Sequence, residues 1–315
     1  MHAFFNGFNN SGTLVAAPIS TRSLPPRVAI GIALMGEFAG PFVFGVAVAA
    51  TIGRDFLEIS EINLNVLLAA AVAVISWNAL TWFFGFPSSS SHALAGGLIG
   101  ASLIAAGLGV FKIAGLVKIL GGLLLSPALG LVGGYLLLKI ILALVQSAPP
   151  GINFFFRHLQ GLTTLALAMG HGTNDGQKSM GLITLGLVVL RIQNTFVVPT
   201  WVTLAVAIAM CLGVVSGGYR IIRTLGGKIY QLRPVHGFTA QLAASAIVIT
   251  AALVGAPVAT THIAGTTIMG VGAAERARGV RWGVAGQIMM AWLVTIPAVA
   301  VLAAIIYLVL DVTGI

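Results

Sequence analysis

Charge is what this chain has least of. Seven acidic and sixteen basic side chains are spread over 315 residues, so charged residues make up 7% of the whole, where a soluble globular domain carries about 25%. That scarcity excludes water as the main solvent of the folded chain. A single cysteine, Cys211, excludes an intrachain disulfide and a thiolate metal cluster; its setting between Met210 and Leu212 reads as packing. No aromatic-basic module accompanies the net charge of +9, which argues against nucleic acid as a partner. A basic stretch at the N-terminus is missing too, so no cleavable leader is expected and the apolar segments themselves are expected to direct insertion.

What is abundant is apolar length. Hydrophobic residues make up 58% of the chain, and six windows approach or exceed the roughly 20 residues that cross a bilayer. They are Val28 to Ala50, Leu64 to Phe84, Ile113 to Val145, Pro199 to Ser216, Phe238 to Val254 and Trp282 to Leu310. Following these spans, Arg22, Arg27, Arg157, Arg220, Arg223, Lys228, Arg233, Arg276, Arg278 and Arg281 fall on one side, and Arg54, Lys112 and Arg191 on the other. Basic loops stay in the cytoplasm, so the arginine-rich side is expected to be cytoplasmic. The expected fold class is an all-α integral membrane protein.

Two marks recur half a chain apart. Gly85-Phe86-Pro87-Ser88-Ser89-Ser90-Ser91-His92 returns as Gly255-Ala256-Pro257-Val258-Ala259-Thr260-Thr261-His262, and Asn6-Gly7-Phe8-Asn9-Asn10 returns as His171-Gly172-Thr173-Asn174-Asp175. The offsets, 262 − 92 = 170 and 174 − 9 = 165, are nearly equal, which marks an internal duplication. The loop from Arg54 to Glu61 is net acidic, whereas its counterpart from Arg220 to Arg233 is basic, so equivalent loops belong on opposite faces. This is the signature of an inverted-topology repeat with broken or re-entrant helices, from which alternating access follows. The halves are read as 1–145 and 160–315, joined by a turn-forming linker at 146–159 that contains Pro149-Pro150-Gly151. Gly170, Gly172 and Gly176 flank the second Asn motif and predict that the helix opens there.

The hydroxyl clusters sit where helices are expected to start, after Pro87 and Pro257. A helix N-terminus offers free amide N–H groups and the positive end of its dipole, so Ser89, Ser90, Ser91 and His92 form one anion cradle. Thr260, Thr261 and His262 form a second, and two cradles facing one point suit a tetrahedral oxyanion. Taken singly, each cluster is equally an ordinary capped helix end. Asp175 is the strongest candidate for coupling, because an aspartate within a span costs roughly 2.5 to 3.5 kcal/mol on insertion scales and marks ion or proton pathways. Its bland alternative is an ion pair with Lys178, one turn on. Asn9, Asn10 and Asn174 join Asp175 as coupling-ion candidates, and Lys178 joins the substrate residues. Glu37, inside the first long span, faces the cavity or pairs with Lys139 or Lys118. Ser89 with His92 lacks the third group and the nucleophile elbow of a hydrolase, so no catalytic residue is assigned.

At these motifs the chain resembles the inorganic phosphate transporter (PiT) family. The resemblance rests on Asn6-Gly7-Phe8, Ser20-Thr21-Arg22, Phe84 to His92, Gly170 to Lys178, Pro257 to His262, Gly270 to Ala274 and Val280 to Gly283, in that order. It implies a symporter that carries inorganic phosphate inward across the bacterial cytoplasmic membrane, driven by H+ or Na+ and of the low-affinity type. A PhoU-like cytosolic regulator is implied by analogy. No cofactor is implied beyond Na+ as a coupling ion. Sulfate is the runner-up substrate, and a membrane-embedded hydrolase a distant alternative. Two departures stand out: Asn10 and Thr13 replace the Asp and Asn that the family's first motif carries, and the apolar half-helix expected before that motif is missing.

Overall fold

The computed structural model describes residues 1–85, 88–149, 151–228 and 232–313, apart from the side chains of 218–228, 284, 287, 288, 291 and 292. Pro87, Pro150 and the side chains of Arg220, Arg223, Lys228 and Trp292 thus lie outside the described residues. Eleven α-helices follow one another among the described residues. They are α1 (His2–Ser20), α2 (Pro26–Val43), α3 (Ala47–Ala50), α4 (Leu64–Phe84), α5 (Ser90–Ala106), α6 (Ile113–Leu144), α7 (Ile152–Val189), α8 (Thr200–Lys228), α9 (Pro234–Leu253), α10 (Thr260–Arg276) and α11 (Trp282–Thr313). An isolated bridge from Leu57 to Phe111 is the nearest approach to a sheet. Helices satisfy every backbone group within the segment, which hydrocarbon demands. Among the described residues, six stretches are long and apolar enough to cross a bilayer: Pro26–Val43, Leu64–Phe84, Ile113–Leu144, Thr200–Gly217, Pro234–Leu253 and Leu293–Thr313. Each overlaps one of the six windows read from the sequence, so the chain is a multi-pass membrane protein.

The duplication is visible in the packing. α1, α2, α4, α5 and α6 correspond in order to α7, α8, α9, α10 and α11. α1 packs chiefly on α8 and α2 on α7; likewise α5 packs on α11 and α6 on α10. Exchanging the two sets leaves these pairings unchanged, as a pseudo-twofold axis requires. Apolar clusters fill the space on either side, with Leu94 and Leu98 against Val299 and Ala303, and Leu14 and Leu167 against Val248 and Ile263.

The chain breaks at matched points before the hydroxyl motifs. Gly85 and Gly255 both take left-handed φ values, 71° and 70°, a conformation that ends helices at little steric cost only for glycine. Ser88 and Ser89 before α5, and Ala256 to Ala259 before α10, are non-helical and lead into helices of 17 residues each, about 26 Å at 1.5 Å per residue. That is short of the roughly 30 Å hydrocarbon core, so their N-termini are available within the membrane. α5 is capped by Ser89, whose Oγ accepts from the His92 amide at 3.3 Å. α10 begins at Thr260, three positions after Pro257, so that proline belongs to the connection and not to the first turn.

One expectation fails. The helix does not open at Gly170–Gly176, because α7 runs unbroken for 38 residues through the whole motif. Those glycines serve close approach instead: a Cβ at Gly172 would lie 2.4 Å from the Glu37 carbonyl oxygen of α2. Gly172 lets two backbones touch, as small residues do between membrane helices, while Gly170 and Gly176 face side chains of neighbouring helices.

Candidate functional site

The i, i+3, i+4, i+7 spacing of His171, Asn174, Asp175 and Lys178 puts all four on one face of α7. That face meets the N-terminal ends of α5 and α10 and the Asn6–Asn10 stripe of α1. Lys178, 1% exposed, is a buried ammonium with three partners. It donates to the Asp175 carboxylate, to Ser91 Oγ at 2.5 Å and to the Val258 carbonyl at 2.6 Å. Ser91 Oγ in turn lies 3.1 Å from Asp175 Oδ1 and 3.3 Å from the Val258 carbonyl. One serine from α5 and one carbonyl from the connection before α10 thus share a single ion pair with α7. Thr260, at the start of α10, is 1% exposed, and its buried hydroxyl has no hydrogen-bond partner.

Asn174 ties α7 to the second break. Its Nδ2 donates to the Ala256 carbonyl at 3.0 Å, and its Oδ1 accepts from the Val258 amide at 3.2 Å. On the α1 side, Ser90 Oγ donates to Asn6 Oδ1 at 2.8 Å, Asn10 Nδ2 donates to the same oxygen at 2.5 Å, and Asn6 Nδ2 reaches the Asp175 carbonyl at 3.4 Å. His171 joins both sides. Its Nε2 stands 3.1 Å from Asp175 Oδ2 and 3.0 Å from Asn10 Nδ2, and its Nδ1 pairs with the Glu37 carboxylate. Glu37 is wholly buried and finds its partner in His171, not in Lys139 or Lys118 as the sequence suggested. Behind the serines, His92 Nδ1 lies 3.0 Å from Ser89 Oγ, and the His92 and His262 rings lie with centroids 4.4 Å apart, tilted by 40° to each other. The two histidines of the duplicated motif therefore touch.

Of the residues singled out from sequence, Ser90, Ser91, Asn10, Asn174, Asp175, Lys178 and Thr260 converge on this network. Ser89, His92 and His262 form its back wall. Asn9 and Thr261 are only half-buried and make none of its described contacts. Asn6, His171 and Glu37 complete the network although the sequence had not assigned them to a site. Their signals differ: Asn6 shares Asn10's helical face, whereas nothing local in the sequence points to the Glu37–His171 pair.

Chemically, the arrangement is a buried cluster of hydroxyls and one ammonium, backed by a carboxylate and by two helix starts. First-turn amides have no partner within their own helix, so Ser90, Ser91, Thr260 and Thr261 present N–H groups with the dipole's positive end. Donors of this kind suit an anion, and a buried carboxylate suits a cation or a proton. Among the described residues, no group of three or more His, Cys, Asp or Glu side chains has metal-holding geometry. Fold and site together define a membrane transporter built from inverted repeats, and not an enzyme. More narrowly, the chain belongs to the phosphate transporter family, whose profile matches residues 6–152 and 145–303. It is 41% identical over 312 residues to a probable low-affinity inorganic phosphate transporter of Bacillus subtilis, covering 98% of this chain and 93% of that one. It is 40% identical over 310 residues to a protein of the same description from Rhizobium meliloti, again covering 98% and 93%. Among solved structures, a sodium-dependent phosphate transporter superposes with a TM-score of 0.89 at 24% identity, covering 99% of this chain and 96% of the other.

Proposed function

We propose that this protein is a secondary transporter that carries inorganic phosphate inward by alternating access, with the halves 1–145 and 160–315 exchanging conformations about the shared site. The reading is supported by the family membership, by the description of the relatives in Bacillus and Rhizobium, and above all by one observation: Ser91 of α5 and the Val258 carbonyl preceding α10 converge on the Asp175–Lys178 pair. Phosphate would be held by Ser90, Ser91, Thr260, the first-turn amides and Lys178. An ammonium already bonded to a serine hydroxyl needs only a small displacement to exchange the carboxylate for a phosphate oxygen. Asp175, released from Lys178, would then carry the coupling ion, H+ or Na+, with Asn10 and Asn174 beside it. Substrate and ion thus compete for and complete one charge balance, which ties the loading of one to the loading of the other.

The arginine-rich side is taken as the cytoplasmic face of a bacterial inner membrane, and a PhoU-like regulator would dock there. Uptake of radiolabelled phosphate into proteoliposomes, with sodium and proton gradients set independently, tests the reading. Concentrative phosphate uptake driven by either gradient is the expected result. Preference for sulfate, or no accumulation under either gradient, would refute it.

A further inference from the structure

A site built only of donors would take any tetrahedral oxyanion. This one also contains a fixed acceptor. The Val258 carbonyl lies in the connection before α10, and its donors, Lys178 Nζ at 2.6 Å and Ser91 Oγ at 3.3 Å, are two of the residues placed above around phosphate. A carboxylate can take up a proton and a hydroxyl can turn to donate, whereas a backbone carbonyl only accepts.

Its direction is set from behind. The Val258–Ala259 peptide is trans and planar, so its C=O and N–H point opposite ways. The Ala259 N–H donates to Ser126 Oγ of α6 at 3.1 Å, and the Ser126 hydroxyl donates to the Gly122 carbonyl at 2.5 Å. Ser126 is wholly buried. α6 comes this close because Gly122 has no side chain: a Cβ there would lie 2.5 Å from the Pro257 carbonyl oxygen. On the other side of the residue, the Val258 N–H donates to Asn174 Oδ1 at 3.2 Å. Turning the carbonyl away would break the Ser126 bond and leave a buried N–H unpaired, which costs more than the bond itself contributes.

Once Lys178 has turned to a phosphate oxygen, the Val258 carbonyl has lost its closer donor. Ser91 has a single hydroxyl proton and cannot serve the carbonyl, the carboxylate and an anion together. Hydrogen phosphate brings an O–H of its own and supplies the missing bond. Sulfate has the same charge and shape without the O–H, so it would leave the carbonyl unpaired and set a bare oxygen against it. A site built to bond a substrate O–H rejects the analogue lacking it by about ten-thousandfold or more. We propose that the Val258 carbonyl selects oxyanions that carry an O–H, and that Ser126 is the positioning residue that holds this carbonyl toward the site. The proposal rests on the placement of phosphate given above and supplies that site with its means of excluding sulfate.

The test is uptake of radiolabelled phosphate by the full chain in proteoliposomes, with competing anions added in a slightly alkaline buffer. Phosphate and arsenate there keep an O–H, and sulfate, selenate and monofluorophosphate have none. All are then mainly dianions, so charge does not sort them. Arsenate should compete within about tenfold of unlabelled phosphate, and the anions without O–H about ten-thousandfold less well. Ser126→Ala, which frees the peptide to turn, should narrow the preference for phosphate over sulfate by on the order of tenfold, the worth of one hydrogen bond. Ser126→Thr, which keeps the Oγ, should restore it. A merely structural role would lower uptake and leave that ratio alone, so an unchanged ratio in folded Ser126→Ala overturns the positioning role. Should Ser126→Ala fail to fold, competition on the unaltered chain decides alone. Equal competition by sulfate or monofluorophosphate, with phosphate uptake intact, overturns the selection and leaves phosphate transport standing; absence of phosphate uptake overturns both.

Discussion

Replacing Asp175 by Asn keeps the shape of the central network and removes one charge. Lys178 is 1% exposed and so is Asp175, so solvent does not screen the loss. Breaking a buried ion pair by neutralising one partner costs about 3–5 kcal/mol, because the survivor is left uncompensated. Here the Ser91 hydroxyl and the Val258 carbonyl still accept from Lys178, which puts the expected loss near the lower bound, about 3 kcal/mol. Removing both charges is a different perturbation, and such double replacements are often neutral. Asp175→Asn should therefore unfold at lower temperature in detergent, and Asp175→Asn with Lys178→Met should recover most of that loss. Neither should accumulate phosphate in proteoliposomes under a sodium or proton gradient. The cycle separates folding from coupling. Concentrative uptake by the stable double variant would refute the coupling role of Asp175, and wild-type stability of the single variant would refute the buried ion pair.

Ser91→Ala and Thr260→Ala should each weaken phosphate binding by about 1.5–3 kcal/mol, the value of a hydrogen bond to a charged group, measured as the concentration giving half-maximal uptake. Ser89→Ala should act on stability instead, costing about 1 kcal/mol as the loss of a helix cap, with affinity little changed. Gly172→Ala puts a methyl group 2.4 Å from the Glu37 carbonyl, so α2 and α7 must separate. A loss of about 1–3 kcal/mol is expected from such overpacking, read from thermal unfolding, and an unchanged midpoint would contradict the close approach. By contrast Glu58→Gln removes a surface pair whose side chains are 38% and 49% exposed, and should cost under about 1 kcal/mol; a larger loss would show that this loop is held by charge.

Much of this architecture was legible because lipid imposes simple rules. Windows of apolar length gave the spans, and the recurrence of a glycine, a turn and a row of hydroxyls gave the two breaks. The site face of α7 was legible too, since His171, Asn174, Asp175 and Lys178 follow helical periodicity. The same periodicity separates Asn6 and Asn10 from Asn9, which lies about 60° to 100° around the helix from that pair; choosing Asn9 by motif position overlooked this. The glycines of α7 misled for another physical reason. Glycine both weakens a helix and lets a neighbour approach it, and only the position of α2 tells which use applies. The Glu37–His171 pair could not be read at all, because it joins residues 134 positions apart that only the packing of α2 on α7 brings together.

The crosswise packing of the two halves has a consequence for how the chain can be made. α1 and α2 lean on α8 and α7, and α5 and α6 on α11 and α10. A polypeptide cut in the connection between α6 and α7 would yield fragments in which α1, α2, α5 and α6 on one side, and α7, α8, α10 and α11 on the other, have lost their main neighbour. Such fragments should be degraded when produced singly and should rebuild one carrier when synthesised in the same cell, as would two subunits of an antiparallel dimer that happen to be joined end to end.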